Sequence, residues 1–140
     1  MNNKMKMIFS DKSCNERLAR SVVSAFVLDA DPTAEEMAEI KTAVSEAVTN
    51  AIIHGYKDMD GDVVLECELA DKTVYITVSD SGRGIEDVEK AKEPLYTGSP
   101  ETERSGMGFT IMEAFMDEVS VKSVVGQGTT VRMKKKFHDK

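Results

Sequence analysis

The stretch Val63-Val-Leu-Glu-Cys-Glu-Leu-Ala-Asp-Lys-Thr-Val-Tyr-Ile-Thr-Val-Ser-Asp80 sets the class of fold. Val63, Leu65, Cys67 and Leu69 alternate with more polar neighbours, which is the period of a strand with one buried face. Asp71-Lys72 reads as a turn, and Val74, Ile76 and Val78 resume the alternation, so the segment is a β-hairpin. The period just upstream is different. Met37, Ile40, Val44, Ala47, Val48, Ala51 and Ile52 fall on one helical stripe ending near His54, with Gly55 as its terminator.

Outward from this core the same two periods recur. Thr33 and Glu36 form a capping box that opens the long helix. Asp31-Pro32 breaks it from an earlier helix. Ser13 and Glu16 form a second capping box, followed by Leu18, Val22, Val23, Phe26 and Val27 as the apolar stripe of a helix reaching about Ala30. Lys4 to Phe9 is a first short strand. After the hairpin, Glu86 to Lys92 suggests a short helix stopping before Pro94. The polar stretch Lys92 to Ser105 is long for a plain connection and reads as a functional loop. Phe109 to Met116 is a further helix. Val119, Val121 and Ser123 form a strand, Gly126-Gln127-Gly128 a turn, and Val131 and Met133 a last strand. Paired helices and paired strands predict an α+β, two-layer sandwich: one domain over residues 1–140, with a mostly antiparallel mixed sheet and helices on one face.

Composition agrees. The 140 residues are 41% hydrophobic and 31% charged, ordinary values for a globular chain. Aromatics are 6% and Trp is absent, so aliphatics and nine Met must fill the core. The net charge of -7 weighs against nucleic acid as a partner. The last nine residues carry +4, which leaves -11 on the remainder; the basic end reads as a solubilising close to the last strand. No apolar run reaches the ~20 residues of a membrane span. Met1 to Ser10 is too short and polar for a signal peptide, and Cys14 and Cys67 are too few for a disulfide scaffold, so both are expected as reduced thiols in a cytoplasmic protein.

Four local signals carry chemistry. Glu46 and Asn50 stand one turn apart on the long helix, away from the centre of its apolar stripe. They read either as a solvated polar pair or as a carboxylate base beside an oxygen ligand for Mg²⁺, which takes few protein oxygens. Asp80-Ser81-Gly82-Arg83-Gly84 follows a strand. It is a tight turn, or an acidic acceptor for an exocyclic amine beside backbone that can approach closely. Arg104-Ser105-Gly106-Met107-Gly108 opens a helix and can present amide groups to phosphate. It is neither a dinucleotide fingerprint, since Ile111 stands where the third glycine would be, nor a P-loop. Gly128-Thr129-Thr130 enters the last strand as hairpin chemistry, or as a hydroxyl helping Asp80.

Taken in order, these signals resemble the nucleotide site of the GHKL (Bergerat-fold) ATPase superfamily. Glu46-Ala-Val-Thr-Asn50-Ala-Ile-Ile-His-Gly-Tyr56 is similar to the signature helix of bacterial anti-sigma factor serine kinases. Glu103-Arg-Ser-Gly-Met-Gly-Phe-Thr-Ile-Met-Glu113, followed by Phe115-Met-Asp-Glu-Val119, resembles the anti-sigma F group of endospore-forming bacteria. The likeness covers nearly the whole chain.

The resemblance implies ATP/ADP and Mg²⁺ as cofactors. It implies Glu46 as the base taking a proton from a serine hydroxyl, and Asn50 as metal ligand. Asp80 would bind the adenine amine with Thr130 in support, and Gly82 and Gly84 would let the chain pass close to the base. Gly106, Met107 and Gly108 would offer amides to phosphate, and Arg104 would approach the γ-phosphate. The partners implied are sporulation sigma factor F, a serine-bearing anti-anti-sigma factor and a second copy of the chain, with Arg20 on the partner surface. His54, beside the helix-ending Gly55, reads as structural, and Met107, Met112 and Met116 as core. Alternatives are a stress-response anti-sigma kinase and a nucleotide-gated sigma-binding module without phosphotransfer. A sensor histidine kinase would need a phospho-acceptor helix pair that 140 residues cannot also hold.

Overall fold

The computed structural model describes residues 2–55, 60–85, 88, 92 and 108–138. Five strands form one sheet: β1 (Asn2–Ser10), β2 (Asp62–Ala70), β3 (Thr73–Asp80), β4 (Glu118–Val124) and β5 (Gly128–Lys136). Their spatial order is β1-β2-β3-β5-β4, and every neighbouring pair is antiparallel. Among the described residues, three α-helices, α1 (Cys14–Val27), α2 (Ala34–Thr49) and α3 (Gly108–Phe115), supply the second layer. The expected α+β sandwich is what forms.

The alternation in β2 and β3 builds the layer boundary. Val63, Leu65, Cys67, Leu69, Val74, Ile76 and Val78 are all buried, as are Val131 and Met133 of β5. Against them lie Ala19, Val23 and Val27 of α1, Ile40, Val44 and Val48 of α2, and Met112 of α3 with Met116 just beyond it. Burial of this kind stabilises by roughly 25 cal/mol per Å² of apolar surface removed from water. Cys14 is exposed and Cys67 buried, both free; burial pushes the Cys67 thiol up to about 12, so it behaves as a small core hydrophobe.

Local signals succeed and fail for identifiable reasons. Thr33 is extended (φ -69°, ψ 164°), and both halves of its capping box form: Glu36 N–H donates to Thr33 Oγ1, and Thr33 N–H donates to Glu36 Oε1. Ser13 is instead helical (φ -59°, ψ -27°), its side chain caps nothing, and Glu16 pairs with Arg20 Nε at 3.3 Å. A capping box needs an extended N-cap, so the motif alone is not sufficient. The α1 stripe is also rotated from expectation. Ala19, Val23 and Val27 form its buried line, Val22 and Phe26 lie at the margin, and Leu18 is exposed. A single 3₁₀ turn over Leu28–Ala30 follows, closed by Asp31 in the left-handed region (φ 54°).

The long helix does not run unchanged to His54. It leaves the α form at Asn50 and continues as a π-helical turn, Asn50–Gly55. Such turns insert a residue and re-aim the side chains around them. This turn packs on β3 and β5, while α2 itself packs on α3.

The basic end of the chain is more than a solubilising close. Lys135 is buried; its Nζ donates to Phe115 O at 2.8 Å and pairs with Glu39 at 3.1 Å. Phe137 is buried, and His138 binds Glu36 through both its backbone N–H and Nδ1, each at 2.8 Å. The strand period puts residues 131, 133, 135 and 137 on the inner side, and that parity overrides the charge. The expected helix Glu86–Lys92 lies mostly outside the described residues, although Lys92 N–H donates to Val88 O at 3.1 Å, a helical spacing. Among the described residues, no helix is long and apolar enough to cross a membrane.

Candidate active site

Glu46 and Asn50 project from successive turns of α2 toward the start of α3. A Cβ placed on Gly108 would stand 3.4 Å from Glu46 Oε2, 3.3 Å from Asn50 Nδ2 and 3.5 Å from Asn50 Oδ1. Glu46 is buried at 8% exposure, which removes the solvated-face reading of this pair. A side chain at position 108 would occupy the space where α2 and α3 meet, and glycine keeps it open. Asn50 is also where the helix widens into its π turn, a feature often found at functional sites.

Asn50 Oδ1 is buried and accepts no hydrogen bond among the described residues. A buried amide oxygen without a partner is costly and calls for an explanation. Hard cations take oxygen ligands, and Mg²⁺ in nucleotide sites draws most of its shell from phosphate and water. The residues present fit such an ion, with Asn50 as its protein ligand.

The second group lies where β3 ends. Asp80 accepts a hydrogen bond from Gly82 N–H at 2.9 Å. Burial pushes its carboxyl above the usual range, partly opposed by backbone hydrogen bonds from Gly82 and Thr129. A partly desolvated carboxylate at a strand end is suited to accept a hydrogen bond from a ligand amine. The turn after it is sewn to the β4–β5 hairpin. Gly126 N–H donates to Arg83 O at 2.8 Å, and Ile85 N–H donates to Ser123 Oγ at 2.6 Å. Gly84 has φ +78° and lies so close to the Val124 carbonyl that a Cβ would run into it. Only glycine combines that dihedral with that approach. Gly82, the other glycine of the turn, is buried.

The hydroxyl beside Asp80 belongs to Thr129, not Thr130. Asp80 faces Thr129 across the β3–β5 ladder, and Ser79 faces Thr130. Side chains alternate along a strand, so Thr129 is buried on the helix side while Thr130 turns to the open face, its Oγ1 3.3 Å from Ser79 Oγ. The parity of Val131 and Met133 already contained this answer. Sequence reasoning also passed over Ser123, which no motif marks.

Gly108 opens α3 and is buried. Arg104, Gly106 and Met107 lie outside the described residues, as does the side chain of His54. Arg20 sits on α1 in its ion pair with Glu16.

Among the described residues, a five-stranded antiparallel sheet lies under three α-helices, with an acidic residue at a strand end and a Glu/Asn pair against a glycine. Residues 9–135 match the family of histidine kinase-like ATPase domains. The anti-sigma F factor of Clostridium novyi (strain NT) is 58% identical over 136 residues, covering 96% of this chain and 95% of that one. That of Geobacillus stearothermophilus is 57% identical over 141 residues, covering 100% and 97%. The chain belongs to the anti-sigma F factor family. Among solved structures, the RsbU and RsbW domains of Rv1364c from Mycobacterium tuberculosis superpose with a TM-score of 0.70 at 23% identity. The match covers 96% of this chain and 32% of that one, so this chain corresponds to about a third of it. The catalytic domain of histidine kinase ThkA gives a TM-score of 0.58 at 15% identity, covering 95% and 96%. Both likenesses speak to the fold. The match to the histidine kinase-like ATPase domain family implies nucleotide binding by this fold.

Proposed function

We propose that this chain is an ATP-dependent anti-sigma factor and protein serine kinase of the cytoplasm. With ATP bound it holds sporulation sigma factor F away from RNA polymerase, and it phosphorylates an anti-anti-sigma factor on serine, acting as a homodimer. The observation that carries the reading is the buried Glu46 carboxylate and the buried Asn50 Oδ1 gathered against Gly108, close to where phosphate would meet the start of α3.

Each residue has a definite task in this reading. Asp80 accepts from the adenine amine, and Thr129 stands beside it. Gly82 and Gly84 let the turn pass close to the base. The amide groups at the start of α3, with Gly106, Met107 and Gly108, hold the phosphates, and the helix dipole adds partial positive charge there. Arg104 neutralises charge at the γ-phosphate. Asn50 would hold Mg²⁺, which would offset the charge of the phosphate oxygens. Glu46 accepts the proton of the serine hydroxyl as its oxygen bonds to the γ-phosphorus and ADP departs. Phosphoryl transfer asks mainly for positioning and charge neutralisation, and one carboxylate within reach of the acceptor completes the set.

The partner surface is assigned to α1. Arg20 is partly exposed there, and the same helix leaves Leu18 46% exposed, an apolar side chain open to a docking protein. A surface shared by sigma and the antagonist would make their binding competitive.

The test is incubation with γ-labelled ATP, Mg²⁺ and the candidate antagonist, followed by mapping of the labelled residue. Label on one serine supports the reading. Glu46→Ala is expected to abolish transfer and keep ATP binding. Equal loss of both contradicts the role of Glu46, and transfer that survives the substitution contradicts it too.

A further inference from the structure

Ser123 lies on β4, outside every motif considered so far. Across the sheet it forms one row with Thr129 and Asp80: Asp80 pairs with Thr129, and Thr129 pairs with Ser123. Its hydroxyl has three contacts. Ile85 N–H donates to it at 2.6 Å, it donates to Gly128 O at 3.2 Å, and Thr129 Oγ1 lies 2.8 Å away. A serine hydroxyl has one proton and two lone pairs. The assignment that satisfies all three contacts at once has Ser123 donating to Gly128 O and accepting from both Ile85 N–H and the Thr129 hydroxyl. The three contacts saturate Ser123 and commit the Thr129 proton away from Asp80.

We propose that Ser123 is a positioning residue that makes the base-recognition end of the site an acceptor-only surface, and so enforces selection of 6-amino over 6-oxo purines. The inference rests on the nucleotide-site reading above. The Asp80 carboxylate only accepts while ionised, and its bonds from Gly82 and Thr129 hold it in place. With the Thr129 proton held by Ser123, the Thr129 oxygen has only lone pairs to offer. Two acceptors side by side suit the hydrogens of an exocyclic amine. They leave a 6-oxo group facing unpaired lone pairs, an arrangement that discriminates through the cost of unsatisfied polar atoms. Through Ile85 the same hydroxyl also fixes the end of the glycine turn that begins at Asp80. Without Ser123, the Thr129 hydroxyl is released to rotate and donate.

The experiment compares binding of ATP and inosine triphosphate to the full chain by calorimetry. Variants are Ser123→Ala and the isosteric pair Ser123→Thr and Ser123→Val. The last two share shape and strand preference and differ only in the hydroxyl. The ATP-to-inosine triphosphate affinity ratio is expected to fall about tenfold in Ser123→Ala, one hydrogen bond's worth. It should fall similarly in Ser123→Val and stay near wild type in Ser123→Thr. If Ser123→Ala does not fold, the Thr/Val comparison decides. A wild type that binds ATP beside hydroxyl-free variants with an unchanged ratio overturns this inference alone. Equal loss of selectivity in Thr and Val overturns it as well. A wild type that binds no ATP overturns the nucleotide-site reading and this inference with it.

Discussion

The Glu46 carboxylate lies against the backbone of Gly108, so near that a methyl group there would stand 3.4 Å from Oε2. This contact between α2 and α3 is the junction on which the proposed chemistry turns. Gly108→Ala therefore separates fold from function. Gly108 has no positive φ, so alanine there chiefly lowers the entropy of the unfolded chain, and thermal stability should hold or rise slightly. The added methyl would stand 3.3 Å from Asn50 Nδ2, close enough to push that side chain by a few tenths of an ångström. It would also fill the space beside Glu46, so turnover should drop roughly tenfold. Melting curves beside single-turnover phosphotransfer check both halves.

Asn50 offers the complementary test. Its Oδ1 is buried without a hydrogen-bond donor among the described residues, so Asn50→Ala removes a burden as well as a side chain. The nucleotide-free variant should melt within about 3 °C of wild type. Mg²⁺ should add to the thermal shift caused by ATP in wild type and not in the variant. A variant that unfolds would mark Asn50 as structural.

Thr129 and Thr130 are adjacent and face opposite sides of the sheet. Thr129→Val should weaken ATP binding by roughly tenfold, since a buried hydroxyl beside Asp80 is lost. Thr130→Val should leave it within about twofold, because among the described residues that hydroxyl meets only Ser79 on the open face. Parallel titrations of the two variants decide the assignment.

Lys135 ties the end of α3 to α2 through Phe115 O and Glu39. Lys135→Ala leaves Glu39 without its cation and Phe115 O without its donor, and should destabilise the chain by about 1–3 kcal/mol, measured by urea unfolding. Because α3 begins at Gly108, ATP affinity should fall with it.

Glu36 links stability to acid. Burial alone would raise its carboxyl, but the hydrogen bond from Thr33 N–H and the contacts with His138 hold it below its usual 4.5. A lowered folded value contributes stability that is present above 4.5 and is lost as pH falls through the lower folded value. Glu36→Gln should flatten the acid limb of the stability curve in that window, followed by denaturation at stepped pH.

What could be read from sequence was local or periodic. The Thr33–Glu36 cap, the β2–β3 hairpin and the α2 stripe depend on neighbours in the chain, and they form as expected. The cap at Ser13 failed because an identical motif also permits helical φ and ψ at its first residue, and nothing nearby in sequence chooses between them. The burial of Glu46 was invisible, since Gly108 reaches it only through the packing of α3 on α2. The Asp80 and glycine-turn signals were legible as residue types, yet the choice between Thr129 and Thr130 required strand parity rather than motif matching. Lys135 was misjudged for the same reason: charge suggested solvent, and alternation placed it inside.

The central claim is that Asp80, Glu46 and Asn50 belong to one adenine nucleotide site. Calorimetric titration of ATP with Mg²⁺ into wild type, Asp80→Ala and Glu46→Ala tests it most directly. The account predicts one saturable site per chain in wild type, retained in Glu46→Ala and lost in a folded Asp80→Ala. Absence of saturable binding in wild type, or undiminished binding in Asp80→Ala, would contradict it.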